Sequence, residues 1–168
     1  RNWGLVFCGN FAGALTTAFM MSFILTYGYS VDGGAIADKV GAIGEGRTLG
    51  YKEHGLSGWF TIFIRGMLCN WMVSMGVVGA MISTSAGSKM MAMWMPVMLF
   101  FFMGFEHSIV NMFLFPFSMI MGGDFTVVDY LIWNEIPTVL GNLVGGFLFV
   151  GLPLYLTHVR TSPERQIA

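Results

Sequence analysis

The chain has 168 residues, 55% of them hydrophobic and only 10% charged, with a formal net charge of −1 and a mean hydropathy of +0.71. That balance excludes an ordinary soluble domain, and near-neutrality without a long basic run excludes a nucleic-acid surface, so no nucleic-acid partner is expected. The composition is that of a membrane protein in contact with lipid, and apolar runs without the period-2 alternation of barrel strands make it an all-α transmembrane helical bundle.

A helical crossing needs roughly 20 apolar residues, and the first candidate runs from about Trp3 to Tyr27. It begins almost at Arg1 with no signal-peptide pattern, as though the sequence entered a longer protein midway. Within it stands Gly9-Asn10-Phe11-Ala12-Gly13, an amide between small residues. Cys8 here and Cys69 in the next span lack metal-ligand spacing and read as small buried packing residues. The glycine-rich segment Gly28 to Gly58 mixes Lys39, Arg47 and Lys52 with Asp32, Asp38, Glu45 and Glu53. It reads as an outer cap or short helix, with a flexible loop as the alternative.

The second span, about Trp59 to Ile82, places Asn70 near mid-depth. Arg65, roughly 10 Å along the helix from Ser57, either snorkels outward or presents a positive charge to an outer vestibule. The third run, Met90 to Met121, covers about 32 positions, or about 48 Å of continuous helix, too long for a core of roughly 30 Å. A break near 104–109 absorbs the surplus, with a second punctuation expected at Pro116. Non-helical backbone at that depth survives only where protein buries it or a cavity hydrates it, so the break itself marks a pore or binding site.

Glu106 and His107 sit in that break. Ionisable groups at membrane depth are expensive and face a bundle interior or a water-filled path. His107 escapes most of the penalty by staying neutral and is the candidate to meet a solute; a satisfied core histidine is the alternative. Glu106 is assigned a supporting role, accepting backbone N–H groups freed by the break, with Ser108 as its neighbour. Phe100 to Phe102 and the many methionines read by default as a packed or lipid-facing surface.

The fourth span, about Ile136 to His158, contains Gly141-Asn142-Leu143-Val144-Gly145, a second GNxxG three crossings after the first. Such a repeat is inverted, a construction that places a transporter's site near the midplane. For the glycines alone close helix packing is the simpler explanation, and the buried asparagines, each needing a partner, shift the balance toward a site. Lys and Arg counts put Arg1, Lys89, Arg160 and Arg165 on the inner side, opposite the acidic loop Gly122 to Glu135 with Asp124, Asp129 and Glu135. A rival reading is an electron-transfer subunit whose haem is held by His107 and His158 or a methionine. One histidine central and one terminal speak against it, and neither a cofactor nor a metal is expected. A non-transporting anchor protein is the third reading.

GFEHSIVNMF in a broken helix, Cys69-Asn70-Trp71-Met72-Val73 and the two GNxxG segments resemble the third to sixth helices of the formate/nitrite transporter family. The resemblance implies an aquaporin-like fold and a homopentamer with one pore per six-helix protomer. The cargo is then a small monovalent anion such as formate, nitrite or, in some relatives, bicarbonate, and the protein is no enzyme. The membrane is a bacterial inner membrane or an organellar one such as the chloroplast envelope. By position, His107 resembles the central pore histidine, Phe100 an outer constriction aromatic, and Asn70 and Asn142 polar positions near the path. The family's vestibule lysine falls here on His54, leaving the anion collector open among Lys52, His54 and Arg65. The first two helices of the family are absent, so this chain alone is not expected to conduct.

Overall fold

The computed structural model describes residues 2–161. Arg1 and Arg165, two of the cations used to orient the spans, lie outside the described residues. The fold is all-helical: α1 (Asn2–Leu25), α2 (Gly34–Gly46), α3 (Leu49–Lys52), α4 (Gly55–Ile82), α5 (Ala86–Phe102), α6 (Ser108–Ile120) and a long α7 (Val127–Arg160). Helices α1, α4 and α7 are each long and apolar enough to cross a membrane. The shorter apolar helices α5 and α6, about 26 Å and 20 Å at 1.5 Å per residue, follow one another across the break. Helix α4 packs against both α5 and α7, while α1 packs on α6.

The break lies at residues 103–107, slightly earlier than the sequence places it, and Ser108 already belongs to α6. Pro116 does not interrupt the chain as expected. Helix α6 runs through it, because the neighbouring break already supplies the change of direction and α1 and α2 hold α6 in place. The second span starts earlier than expected, at Gly55, and α5 at Ala86, whose N-cap Ser85 accepts the Ser88 amide at 3.1 Å. Lys89 is therefore in the first turn of α5 rather than in a loop.

Gly28 to Gly58 is largely helical, forming α2 and α3, and closes one end of the bundle as a cap. Three contacts join it to the end of α6, the loop that follows and the start of α7. Glu45 accepts the Asp124 amide at 2.8 Å, Lys52 meets Asp129 at 2.8 Å, and Ser118 Oγ donates to the Gly41 carbonyl at 3.2 Å. Beneath them Phe115, Phe125 and Tyr130 form a small aromatic core. Helix α7 starts on a capping box between Thr126 and Asp129 and carries π-turns at Leu131–Glu135, Phe147–Gly151 and Tyr155–Arg160.

The second GNxxG does what small residues do in membranes. A Cβ at Gly141 or Gly145 would collide with the carbonyl oxygens of Phe63 or Met67 on α4, so the two backbones touch directly. Gly9 and Gly13 of the first copy have nothing within 4 Å of that position. The packing explanation therefore holds within this chain for one copy of the repeat.

Candidate functional site

The end of α5 is closed by tight turns: Met103 N donates to Leu99 O at 2.9 Å, Gly104 N to Phe101 O at 3.0 Å and Phe105 N to Phe100 O at 3.0 Å. Gly104 sits at φ +62, in the left-handed region that a glycine enters at least strain, and so lets the chain leave the helix. His107, at φ −120 and ψ 117, is the N-cap position of α6. Its carbonyl accepts the Asn111 amide at 2.9 Å and starts the second half-helix. The break thus places the carbonyl end of one helix and the amide end of another on either side of Phe105 to His107, the geometry that favours negative charge at the α6 end.

Glu106 is fully buried, and its partner is not the freed backbone. Arg47 Nη2 lies 2.8 Å from Oε2 and Arg47 Nε donates to Oε1 at 3.0 Å. Asn111 Nδ2 donates to Oε2 at 2.9 Å, and Asn134 Nδ2 approaches the same oxygen at 3.3 Å. This corrects the expected role for a physical reason: a carboxylate removed from water gains more from a two-point guanidinium and side-chain amides than from helix-end N–H groups alone. Asn111 and Asn134 are linked at 2.6 Å, and Asn134 Nδ2 also donates to the Arg47 carbonyl at 2.9 Å. One network therefore ties the cap, the break and α7 together.

The freed backbone is served by Asn142 instead. Its Oδ1 accepts the Ser108 amide at 3.0 Å, and its Nδ2 donates to the Glu106 carbonyl and the Gly66 carbonyl, each at 2.9 Å. Asn142 is buried, and both ends of its amide are engaged with backbone. Asn70 Nδ2 donates to the Asn142 carbonyl at 2.6 Å. On its other side Asn70 lines an open recess of about 800 Å³ together with Asn10, Cys8 and Ile109. Cys8 is thus exposed rather than buried as expected, whereas Cys69 is fully buried. Asn10 faces the recess and does not mirror the bonding of Asn142.

Next to the network, the His107 ring stacks on Phe100 with centroids 5.7 Å apart and planes at 23°. Its Nδ1 is buried without a hydrogen-bond partner. Phe100 is buried at 3% exposure, while Phe101 and Phe102 are 56% and 86% exposed, so the three adjacent rings divide between interior and periphery.

The three basic candidates are not brought together. Lys52 is neutralised by Asp129, because α3 lies against the capping box that starts α7. His54 is exposed at the N-cap position of α4, its carbonyl accepting Ser57 Oγ at 2.8 Å. Arg65 Nη2 donates to the Met103 carbonyl at 3.3 Å and Nη1 bonds the Tyr51 hydroxyl, so it meets the carbonyl end of α5. His158 is exposed near the end of α7, its Nδ1 2.7 Å from Thr157 Oγ1. Sequence reasoning missed Arg47, Asn111 and Asn134. Asn111 stands inside the quoted motif, five residues after Glu106, and Asn134 opens an apolar run; Arg47 gives no local signal, since its partner is 59 positions away.

The family model for "Formate/nitrite transporter" matches residues 1–156. A "Probable formate transporter" of Methanothermobacter thermautotrophicus is 33% identical over 165 residues, covering 95% of this chain and 60% of the relative. A "Formate channel" of Haemophilus influenzae is 31% identical over 176 residues, covering 94% and 59%. Among solved structures, a "Pentameric formate channel with formate bound" superposes with a TM-score of 0.75 at 30% identity, covering 93% of this chain and 65% of that one. The chain spans about three-fifths of the length of these curated relatives. With the motif, the broken helix and the all-helical fold in agreement, the chain belongs to the formate/nitrite transporter family.

Proposed function

We propose that this chain forms the pore-bearing part of a channel for small monovalent weak-acid anions, formate or nitrite, with His107 at its centre. The observation that carries the reading is an imidazole held between two half-helices, packed on Phe100 with Nδ1 free of any partner. A bare anion in low dielectric is unfavourable, so a hydrogen bond or proton from the imidazole, passing the solute as its neutral acid, lowers the barrier. Phe100 supplies the dry constriction at which water is stripped. Asn70 faces the path from the recess side, while Asn142, Ser108 and Glu106 hold the backbone that presents the ring. Of the basic residues, Arg65 and His54 remain as anion collectors, since Lys52 already has a counter-ion.

The relatives named as formate transporters and channels support formate as cargo, and the pentameric neighbour supports assembly of five copies. Wide apolar surfaces such as Trp3 at 78% and Trp94 at 55% exposure suit lipid or neighbouring copies. The test is uptake of formate, nitrite and bicarbonate into proteoliposomes by the full-length protein and its His107→Phe variant at two pH values. The variant is expected to lose most uptake and the pH dependence of the remainder. Unchanged uptake and pH dependence removes the imidazole from the mechanism, and no flux of any of the three anions leaves the anchor reading.

A further inference from the structure

Glu135 is a second buried acid, and it differs from Glu106 in having no cation. The residue is 5% exposed. Its Oε2 accepts the Tyr130 hydroxyl at 2.9 Å, and its Oε1 is buried without a partner. The arrangement is built into the fold. A π-turn closes i to i+5 and so brings residues five apart toward one side of the helix, and Leu131–Glu135 is such a turn, immediately after Tyr130. The Tyr130 ring is fixed in turn by stacking on Phe115 at 4.7 Å, so its hydroxyl has a set position.

The charges around this site are accounted for. The elements packed against Leu131–Glu135 are α3, α4 and α6, besides its own helix. Helix α3 carries Tyr51 and Lys52, α4 carries Arg65 and Cys69, and α6 carries no titratable group. Lys52 is bound to Asp129, and Arg65 to Tyr51 and the Met103 carbonyl. Arg47 is bound to Glu106. The neighbouring Asn134 belongs to the Glu106 network, so the charged side chain nearest in connectivity is itself an anion. An ionised carboxylate here would carry a full charge with no counter-ion, close to a second carboxylate whose guanidinium is already engaged, a charge that the uncharged acid does not carry.

We propose that Glu135 is a proton-binding site: it holds a proton as a neutral carboxylic acid, and releasing it places a second negative charge beside Glu106 that opposes anion entry. The second half of this statement rests on the transport reading above. The sign follows directly. The proton is bound at low pH, it leaves as pH rises, and anion uptake falls with it.

Infrared spectroscopy of the full-length protein in lipid tests the first half. A protonated-carboxyl C=O band, sensitive to D2O exchange, is expected in the wild type at neutral pH, absent in Glu135→Gln and displaced in Tyr130→Phe, which keeps the acid and removes its hydrogen bond. Identical protonated-carboxyl bands in wild type and Glu135→Gln would overturn the proposal, as would a Tyr130→Phe spectrum matching wild type. Formate uptake at fixed formate concentration tests the second half. Glu135→Gln is expected to match wild type in acid and to lose at least half of the alkaline decline, and an unaltered decline rejects the coupling. Absence of uptake by the wild type rejects the transport reading and the coupling with it, while the infrared band decides the proton site independently.

Discussion

Arg47 Nη2 lies 2.8 Å from Glu106 Oε2, joining the cap formed by α2 and α3 to the broken helix across 59 positions of sequence. The two side chains are unequally buried, 25% and 1% exposed, so the carboxylate is the member that cannot recover water if the pair is broken. Removing one partner of a buried pair costs about 3–5 kcal/mol, mostly because the other charge is left uncompensated. Arg47→Met is therefore expected to lower the unfolding midpoint in detergent strongly. Arg47→Met combined with Glu106→Gln should be the more stable of the two variants, since the stranded charge is gone. An Arg47→Met protein as stable as wild type contradicts this account.

Gly145 on α7 faces the Met67 carbonyl of α4 with no room for a Cβ. Gly145→Ala must separate two helices whose interface also carries the Asn142 bond to Gly66 O. Overpacking of this kind costs about 1–3 kcal/mol, read as a lower midpoint and weaker assembly. Gly87, in the first turn of α5, has nothing within 4 Å of a Cβ. Gly87→Ala should leave the stability unchanged or raise it, by up to about 1 kcal/mol. An equal gain in both variants would show that helix propensity, not close approach, controls the effect.

The apolar helices were legible because hydropathy and length are local properties. The excess of the third run over a bilayer's thickness alone announced a discontinuity, and Gly104 next to Glu106 and His107 located it within a residue or two. Long-range pairing was not legible. The sequence shows that Glu106 requires a partner, but its nearest polar neighbours in the chain are backbone groups, and only the packing of α2 and α3 over the break brings Arg47 there. For the same reason Lys52 looked free until the fold set Asp129 against it, and Asn142 looked like a lining residue until its amide met Ser108 N and Glu106 O.

Lys52 and Asp129 form an ion pair whose members are 49% and 14% exposed. An exposed pair of this type contributes about 0–1 kcal/mol and is screened by salt. Asp129 has a second role, because its carboxylate accepts the Thr126 amide at 3.1 Å and the Thr126 hydroxyl at 2.6 Å in the capping box of α7. Losing a cap costs about 1 kcal/mol. Asp129→Ala is expected to be more destabilising than Lys52→Ala, and only the lysine's effect should vanish in high salt. Equal, salt-insensitive losses would mean that the cap and not the pair accounts for both.

Phe100 and His107 stack at 5.7 Å, and both flank the turn that leaves α5. If the ring forms the constriction, its removal widens the dry passage and keeps the imidazole, though without its stacking partner. Phe100→Ala in the full-length protein is expected to raise acetate uptake relative to formate several-fold, while Phe100→Leu, which keeps an apolar plug, changes the ratio less. A formate-to-acetate ratio unaffected by Phe100→Ala assigns the selectivity elsewhere.

Arg65 separates two roles that one positive charge can fill. Its Nη2 holds the Met103 carbonyl at 3.3 Å, and its guanidinium carbon lies 6.0 Å from the centre of the Tyr51 ring, whose hydroxyl bonds Nη1. The C-terminal carbonyls of α5 carry partial negative charge, and a cation on them both fixes the turn and offsets a field that would repel an entering anion. A lysine retains the charge but lacks the planar fork needed to hold carbonyl and hydroxyl together. If anion collection dominates, Arg65→Lys should keep near-wild-type uptake at low formate concentration, and Arg65→Met should raise the half-saturating concentration several-fold without changing the maximal rate. If anchoring of the turn dominates, Lys and Met should both lower the maximal rate, because the Phe100 and His107 rings lose their fixed relation. We expect the first pattern for charge and a smaller share of the second for geometry: Arg65→Lys intermediate in maximal rate and unchanged in half-saturation. Uptake in Arg65→Met indistinguishable from wild type at every formate concentration removes Arg65 from both roles and leaves His54 as the remaining basic candidate.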